Sequence, residues 1–479
     1  MSETTEGPVN RSNLVQLELA SGLVDAPRHQ RGRLLQQQLR DAIRTGVLAA
    51  GTALPATRGL AEELGVSRGV IVRAYEQLVA EGYLTSHQGR GTQVASIPRP
   101  AGGSPPPTVR RATNPGLPGG ASFPRTAWLR AAEQALRDVD DAAFAHQDPA
   151  GYMPLREALS RYLGRTRAVS APAERIVITN GFAQAGRLLT EVLVDSGHPA
   201  VALEDPGSRG LRDQLTRCGV PIIGVPVDDD GLRVDALVAS NVRAVVVTPA
   251  HQFPTGVVMS PERRRALVEW ARANDGIIIE DDYDAEHRWD RHPVGAVQGL
   301  GPDHVAYGGS TSKTLAPALR LGWLVLPRHL VTKVAAAKYD VDLATGIWGQ
   351  MTLAALIDSG DFDRHVRATG QTYRDRRDQV LATLRRHLPD WEVAGTAAGL
   401  HAVVVPPPRP GDVAGFERHL AGLAARSGVD VRPLRDYCLD TAPAAGLVLG
   451  YGQTRTAELC RRLEKWAGLV SRGQAPTTG

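Results

Sequence analysis

Residues 96–120 read SIPRPAGGSPPPTVRRATNPGLPGG, and of these 25 residues seven are Pro and five are Gly. Proline fixes φ and removes an amide donor, and glycine weakens both helices and strands. No regular helix or inner strand forms in such a stretch, so it is read as a linker. It divides the 479-residue chain into a small domain over 28–95 and a large one over 121–470. The total length also exceeds what one ordinary core organises. No internal repeat is visible.

Composition narrows the class. Hydrophobic residues make up 42% and charged residues 22%, as in water-soluble globular proteins. No run of about 18 apolar residues occurs, so no membrane span is expected. The first residues, MSETTEGPVN, lack a basic-then-apolar signal pattern. Three cysteines, Cys218, Cys438 and Cys460, lie far apart without metal-ligand spacing. They fit a reducing cytoplasm, and no metal site is expected. The net charge of +4 is concentrated at the front. Residues 28–95 hold nine arginines, no lysine and five acids, a surplus equal to that of the whole chain. A basic module on a neutral body points to a phosphate-binding surface, with ordinary surface charge as the plainer reading.

Helical periodicity organises the small domain. In RGRLLQQQLRDAIRTG (31–46), Leu34, Leu35, Leu39 and Ile43 share one face and Gly46 ends the helix. TRGLAEELG (57–65) is a short helix closed by Gly65, and Ser67 stands as the N-cap of a third, SRGVIVRAYEQLVAEG (67–82). Two helices joined by a glycine-containing turn form a helix-turn-helix. YLTSHQGRGTQVA (83–95) then reads as two strands around a narrow tip. A recognition helix lays its N-terminal residues on base edges, here Ser67, Arg68 and Gly69. Arg58 is placed to reach the backbone or a guanine edge, and Arg90 at the tip to enter a minor groove.

Residues 54–94 resemble the GntR family of winged-helix regulators. The pattern is LP-x-x-R-x-LA-x-x-LGVSR-x-x-V, then L-x-x-EGYL, then G-x-GT-x-V. The resemblance implies that Arg58, Ser67, Arg68 and Gly89 contact double-stranded operator DNA. Gly69 and Val70 depart from the hydroxyl or amide side chains frequent in the family, so these two positions are expected to read little sequence.

The large domain alternates helical runs with apolar strands at 175–179, 200–205, 243–248, 276–281, 304–309 and 321–327. Such alternation implies an α/β domain with a mainly parallel sheet. Polar or glycine-rich loops follow most strands, and ligands bind off the carboxyl ends of strands in open sheets. One loop, GGSTSKTLAPALRLGW (308–323), carries a single lysine, Lys313, among small hydroxyl residues, with Arg320 seven positions on. Lysine forms Schiff bases with aldehydes, and Ser310, Ser312 and Arg320 can hold a phosphate. Another, IIIEDDYDAE (277–286), drives three aliphatic residues inward and ends in a cluster of carboxylates. Buried carboxylates need partners, and a pyridinium nitrogen is one.

Residues 145–330 resemble the fold-type I aminotransferase domain of the MocR subfamily of GntR regulators. The matching stretches are GYMPLREAL (151–159), ITNGFAQAG (178–186), VALEDPGSRG (201–210), TPAHQFPTGVVMS (248–260), IIIEDDYDAE and SKTLAPALRLGW. A weaker similarity continues through AGLHAVV (398–404) and LVLGYG (447–452), which implies a smaller C-terminal α/β subdomain. The implied fold class is therefore multidomain: an α+β winged helix followed by a large α/β domain of the class I/II aminotransferase type.

The resemblance also implies pyridoxal phosphate as cofactor. Lys313 would form the Schiff base, Asp281 would pair with the pyridine nitrogen, and Tyr283 would bond the ring hydroxyl. Ser310, Ser312 and Arg320 would hold the phosphate with the backbone amides of Phe182 and Ala183. Phe253 stands where aminotransferases usually carry an asparagine beside the ring hydroxyl. Ser208 replaces an aromatic residue over the ring. His146 replaces a tyrosine that reaches the partner subunit's phosphate site. The arginine that holds a substrate carboxylate is replaced by apolar residues, leaving Arg432 or Arg435 as substitutes.

Two functions follow. One is a cytoplasmic, homodimeric transcription regulator that senses pyridoxal phosphate or an amino compound. The other is a working aminotransferase with an appended DNA-binding domain. A DNA-binding protein with a scaffold that has lost its cofactor is a third and blander reading. Ser208, His146 and the missing arginine favour cofactor binding over efficient transamination.

Overall fold

The structure is a computed structural model that describes residues 23, 26–87, 91–96, 115–284, 286–287, 295–395, 398–440 and 444–474. The chain divides into two compact units, Met1–Arg111 and Ala112–Gly479.

The first unit has helices α1 (Arg31–Thr45), α2 (Thr57–Glu63) and α3 (Arg68–Ala80), then the antiparallel ribbon β1 (Leu84–His87) and β2 (Gly91–Val94). Leu35, Leu39 and Ile43 of α1 pack with Leu60, Ile71, Ala74 and Leu78 into one core. Gly46, at φ 84°, ends α1 in the left-handed region that glycine adopts without a Cβ penalty. The Arg40 guanidinium meets the Glu81 carboxylate at 2.6 and 2.7 Å, tying α1 to the end of α3.

The second unit begins with α4 (Arg125–Asp138) and α5 (Met153–Arg167). Strand and helix then alternate through β3 (Ile176–Thr179), α6 (Phe182–Asp195), β4 (Val201–Asp205), α7 (Arg209–Arg217), β5 (Ile222–Asp228) and β6 (Gly231–Leu232). The series continues with α8 (Val234–Ala239), β7 (Ala244–Val247), α9 (Pro261–Ala273), β8 (Ile277–Asp281), β9 (Val305–Ser310) and β10 (Gly322–Val325). These strands form one eight-stranded sheet in the order β3-β10-β9-β8-β7-β4-β5-β6. The pairs from β9 through β5 are parallel, whereas β10 runs antiparallel between β3 and β9. Alternate residues feed cores on opposite faces, Ile279 and Val246 into one, Ile278 and Val245 into the other. Burial on both faces is why the strands read as unbroken apolar runs.

Helices α10 (Arg328–Asp342) and α11 (Ile347–Asp358) lead into the 27-residue α12 (Asp361–His387). The remainder is a four-stranded antiparallel sheet of β11 (Glu392–Ala394), β12 (His401–Val405), β13 (Val431–Pro433) and β14 (Leu447–Gly450), with α13 (Val413–Ser427) and α14 (Thr456–Gln474). Among the described residues no helix is long and apolar enough to cross a membrane.

The last residues of the Pro/Gly-rich stretch are folded into this unit. Pro115, Gly116 and Pro118 are buried, and the Gly119 amide donates to the Tyr373 hydroxyl at 3.1 Å.

One buried ion pair links α5 to the end of β8. Arg167 meets Asp282 at 2.8 and 3.1 Å, both side chains are nearly sealed from water, and the Tyr307 hydroxyl donates to the same carboxylate at 2.7 Å. Removing one member of such a pair leaves the other charge buried and unmatched. Arg167→Met is expected to destabilise the larger unit by about 3–5 kcal/mol. Urea unfolding followed by tryptophan fluorescence measures this, and an unchanged midpoint would contradict it.

Candidate functional site

The carboxyl ends of β4, β7, β8 and β9 converge on a cavity of about 460 Å³. Thr248, Phe253, Asp281, Tyr283 and Lys313 line it, with Pro115, Ser208, Arg209, Arg432 and Tyr437 among the other wall residues. The sequence-expected residues Lys313, Asp281, Tyr283 and Phe253 are thus brought together in one space.

Lys313 lies in the turn after β9. The Thr311 amide donates to the Leu321 carbonyl at 3.0 Å, and the Leu315 and Ala316 amides close back onto Thr311. Two histidines hold this backbone. His287 Nε2 donates to the Lys313 carbonyl at 2.9 Å, and His365 Nε2 donates to the Thr314 carbonyl at 2.8 Å. Carbonyls only accept, so each Nε2 carries the hydrogen. Burial lowers the pKa of both imidazoles. Burial also pushes the Lys313 ammonium below its usual range, against the pull of Asp284 and Asp281.

The acidic run at the end of β8 is apportioned residue by residue. Glu280 accepts the backbone amides of Val297 and Gln298, each at 2.9 Å. Asp282 takes Arg167 and Tyr307. Asp284 takes His251 Nδ1 at 2.8 Å. Asp281 differs from these three, because its Oδ1 is closed off from solvent and has no hydrogen-bond partner. Burial, and then the Asp282 charge, push its carboxyl well above the usual range, while Lys313 pulls it back. A buried carboxylate oxygen left without a donor fits a ligand that brings a positively charged N–H.

A second group adjoins through the Ser312–Lys313 peptide. Ser310 of β9 pairs with Gly322 of β10, which pairs with Thr179 of β3, so the three strand ends lie side by side. The loop after β3 starts α6 at Gly181, with φ 83° and no side-chain cap on the helix. A Cβ there would stand 3.0–3.2 Å from the Arg320 guanidinium, which also donates to the Asn180 carbonyl. Ser310 Oγ accepts the Ser312 amide at 3.4 Å. An uncapped helix start bearing the Phe182 and Ala183 amides, with an arginine over it, is suited to a phosphate. Asn180 and Gln184 donate to Asp342, which also pairs with the buried Lys338 at 2.7 Å, so this loop is held from behind.

The departures also find places. Ser208 lines the cavity and precedes α7. His146 is exposed and is not among the cavity walls. Arg432 lines the cavity, whereas Arg435 faces the Glu417 carboxylate at 3.9 Å. Sequence reading missed His251, Asp284 and His401, whose ligand-type atoms lie within 4.8 Å of one another. The 2.8 Å between His251 and Asp284 is a hydrogen-bond length, shorter than the roughly 3.4 Å between two ligands of a tetrahedral zinc.

In the first unit, Arg58, Ser67 and Arg68 are exposed. Ser67 occupies the N-cap position of α3 but makes no side-chain cap bond. Among the described residues neither arginine pairs with a carboxylate. Gly89 and Arg90 lie outside the described residues.

Both units match known protein families. The family of bacterial regulatory proteins, gntR family, matches residues 33–94, and the family Aminotransferase class I and II matches residues 116–441. The probable rhizopine catabolism regulatory protein MocR of Rhizobium meliloti is 32% identical, over 89% of this chain and 90% of that protein. The chain belongs to the MocR-type regulators of the GntR family. Another member, the HTH-type pyridoxine biosynthesis transcriptional regulator PdxR of Corynebacterium glutamicum, is also 32% identical, over 87% of this chain and 91% of its own length. Among solved structures, a Pyrococcus horikoshii kynurenine aminotransferase superposes with a TM-score of 0.68 at 26% identity, covering 75% of this chain and 90% of its own. The second unit of this MocR-type chain therefore has the fold of aminotransferases that depend on pyridoxal phosphate.

A pH dependence follows from the cavity floor. Glu204 is buried behind Thr248, whose hydroxyl donates to it at 2.5 Å, and burial pushes its pKa up to about 7. A carboxyl raised in the folded state binds its proton more tightly there than in the unfolded chain. Its stabilising contribution is present below pH 4.5 and is lost as pH rises towards 7. Glu204→Gln, which imitates the neutral form, is expected to flatten thermal stability against pH across that window. An unaltered slope in the variant would contradict the assignment.

Proposed function

We propose that this chain is a DNA-binding regulator whose larger unit holds pyridoxal phosphate at Lys313 and responds to an amino compound. The observation that carries the reading is the buried, unpartnered Asp281 oxygen in the same cavity as Lys313. The Pyrococcus relative was solved in complex with PMP, which supports the same class of ligand. The cofactor would supply an aldehyde that condenses with a primary amine and a ring that draws electrons from the carbon beside it.

The chain's own residues would do the rest. Burial gives Lys313 a larger share of neutral, nucleophilic amine than an exposed lysine has. Asp281 would accept the hydrogen of the pyridine nitrogen and keep it protonated. Tyr283 would donate to the ring oxygen. Arg320, Ser310, Ser312 and the amides of Phe182 and Ala183 would hold the phosphate. Phe253 packs edge-on against Tyr283 and Tyr437 and would exclude water from that side. Arg432, on the cavity wall, would meet an effector's carboxylate. Ser208 leaves the ring face without the aromatic cover that the resemblance leads one to expect.

Arg58, Ser67 and Arg68 would read operator DNA from α2 and α3. Exposed Leu129, Phe144 and Trp348, with the last two rings 5.8 Å apart, offer an apolar surface for a second copy. A homodimer would present two winged helices to paired half-sites. A competent aminotransferase is the second reading, favoured by the retained set of Lys313, Asp281 and Tyr283.

After incubation with pyridoxal phosphate and exhaustive dialysis, the wild-type chain is expected to keep a visible absorption band that Lys313→Ala lacks. A colourless wild type would overturn the cofactor reading. Sustained turnover of an amino donor with a keto acceptor would favour the aminotransferase. Arg68→Ala is expected to weaken binding to a duplex selected from a random pool by about tenfold or more, the worth of one specific arginine contact. Equal affinity, read by fluorescence anisotropy, would remove Arg68 from the DNA interface.

A further inference from the structure

We infer that His251 and Asp284 are positioning residues that hold the Tyr283 hydroxyl as a hydrogen donor directed into the cavity. The inference rests on the cofactor reading and adds to it the device that orients the donor to the ring oxygen.

His251 and Asp284 have side chains only 2% and 3% exposed. His251 Nδ1 lies 2.8 Å from Asp284 Oδ2 and 3.0 Å from the Tyr283 oxygen. One nitrogen therefore faces two oxygens, and it holds at most one hydrogen. If Nδ1 were bare, its lone pair would face the Asp284 carboxylate at hydrogen-bond distance. Burial alone would raise the Asp284 carboxyl, but His251, 2.8 Å away, outweighs it and the group is held below its usual range. Asp284 is therefore ionised and selects the tautomer with the hydrogen on Nδ1. That hydrogen goes to Asp284, and the Tyr283 oxygen beside it can only share it as an acceptor. The tyrosine's own hydrogen is thereby denied to His251; the Asp284 carboxylate also attracts it, and a ring oxygen in the cavity that the Tyr283 side chain lines would compete for it.

The surroundings keep that hydrogen in place. Burial, then the Asp284 and Asp281 charges, and then a hydrogen bond to Asp284 hold the Tyr283 hydroxyl well above its usual pKa, with Glu204 acting the same way. The cations and imidazoles around it are Lys313, His251, His401 and His287. Burial holds His401 down at about 3, so it stays neutral. Other donors at this edge are used up or missing. Thr248 gives its hydrogen to Glu204, and Phe253 has none to give. The pair is also pinned sterically, since a Cβ on Gly399 would overlap both His251 and Asp284.

The test is the pH midpoint of the visible band of the full chain loaded with pyridoxal phosphate. A donor on the ring oxygen withdraws electron density, so losing it shifts the midpoint to higher pH. His251→Phe keeps an aromatic ring but removes the nitrogen. It is expected to retain the band and to raise the midpoint by about one pH unit, the worth of one hydrogen bond, as Tyr283→Phe does. His251→Asn, which returns an N–H near the Nδ1 position, is expected to move the midpoint back towards wild type. A band retained by His251→Phe at the wild-type midpoint overturns the inference and leaves the cofactor reading standing. Loss of the band from both folded His251 variants, with Tyr283→Phe retaining it, also overturns it, because His251 would then hold the cofactor itself. A wild type without any band brings down the cofactor reading and this inference together.

Discussion

The constraint on which the site depends is the need to match the carboxylates that β8 carries into the interior. A row of acids in a buried strand end is unstable unless each finds hydrogens or positive charge. Glu280 finds backbone amides, Asp282 finds Arg167 and Tyr307, and Asp284 finds His251. Asp281 is left over, facing the cavity that also holds Lys313. The protein thus satisfies the carboxylates that hold the fold together and leaves open the one that a ligand can satisfy. The same partition explains the otherwise expensive burial of Arg167, whose guanidinium matches the Asp282 carboxylate.

Much of this was legible along the chain because the relevant signals are local. The strands were readable as apolar runs because both faces are covered. Lys313, Asp281 and Tyr283 sit in short motifs whose order the backbone preserves. The helix boundaries of the first unit were readable from Gly46, Gly65 and Ser67. Other features depend on partners distant in sequence. An apolar run does not state its direction, so the antiparallel placement of β10 was invisible. β5 carries Pro226 and is only partly buried along most of its length, so its pattern is weak. The histidines around Lys313 were missed for the same reason. His287, His365 and His251 find their partners 26, 51 and 33 residues away, and a lone histidine in an apolar stretch has no local mark of such a role.

The departures from aminotransferase pattern share one physical direction. Phe253 and Ser208 keep the cavity but change its polar and aromatic walls, while the residues around Lys313 and Asp281 are kept. On the proposed reading, such a site would favour holding a cofactor and an amine over driving repeated turnover, which would suit a sensor. A ligand shifts a conformational equilibrium only through its differential affinity for the two states. Pro115 lines the cavity and belongs to the Pro/Gly-rich stretch, so an occupant of the cavity would touch that stretch.

The most direct measurement is the affinity of the full chain for a duplex it selects from a random pool, titrated with pyridoxal phosphate, for wild type and Lys313→Ala. The account predicts that the cofactor changes wild-type affinity by about fivefold or more, as an allosteric coupling of ordinary size requires, and leaves Lys313→Ala unchanged. Equal affinity of both proteins with and without the cofactor, while the wild type holds its visible band, would contradict it.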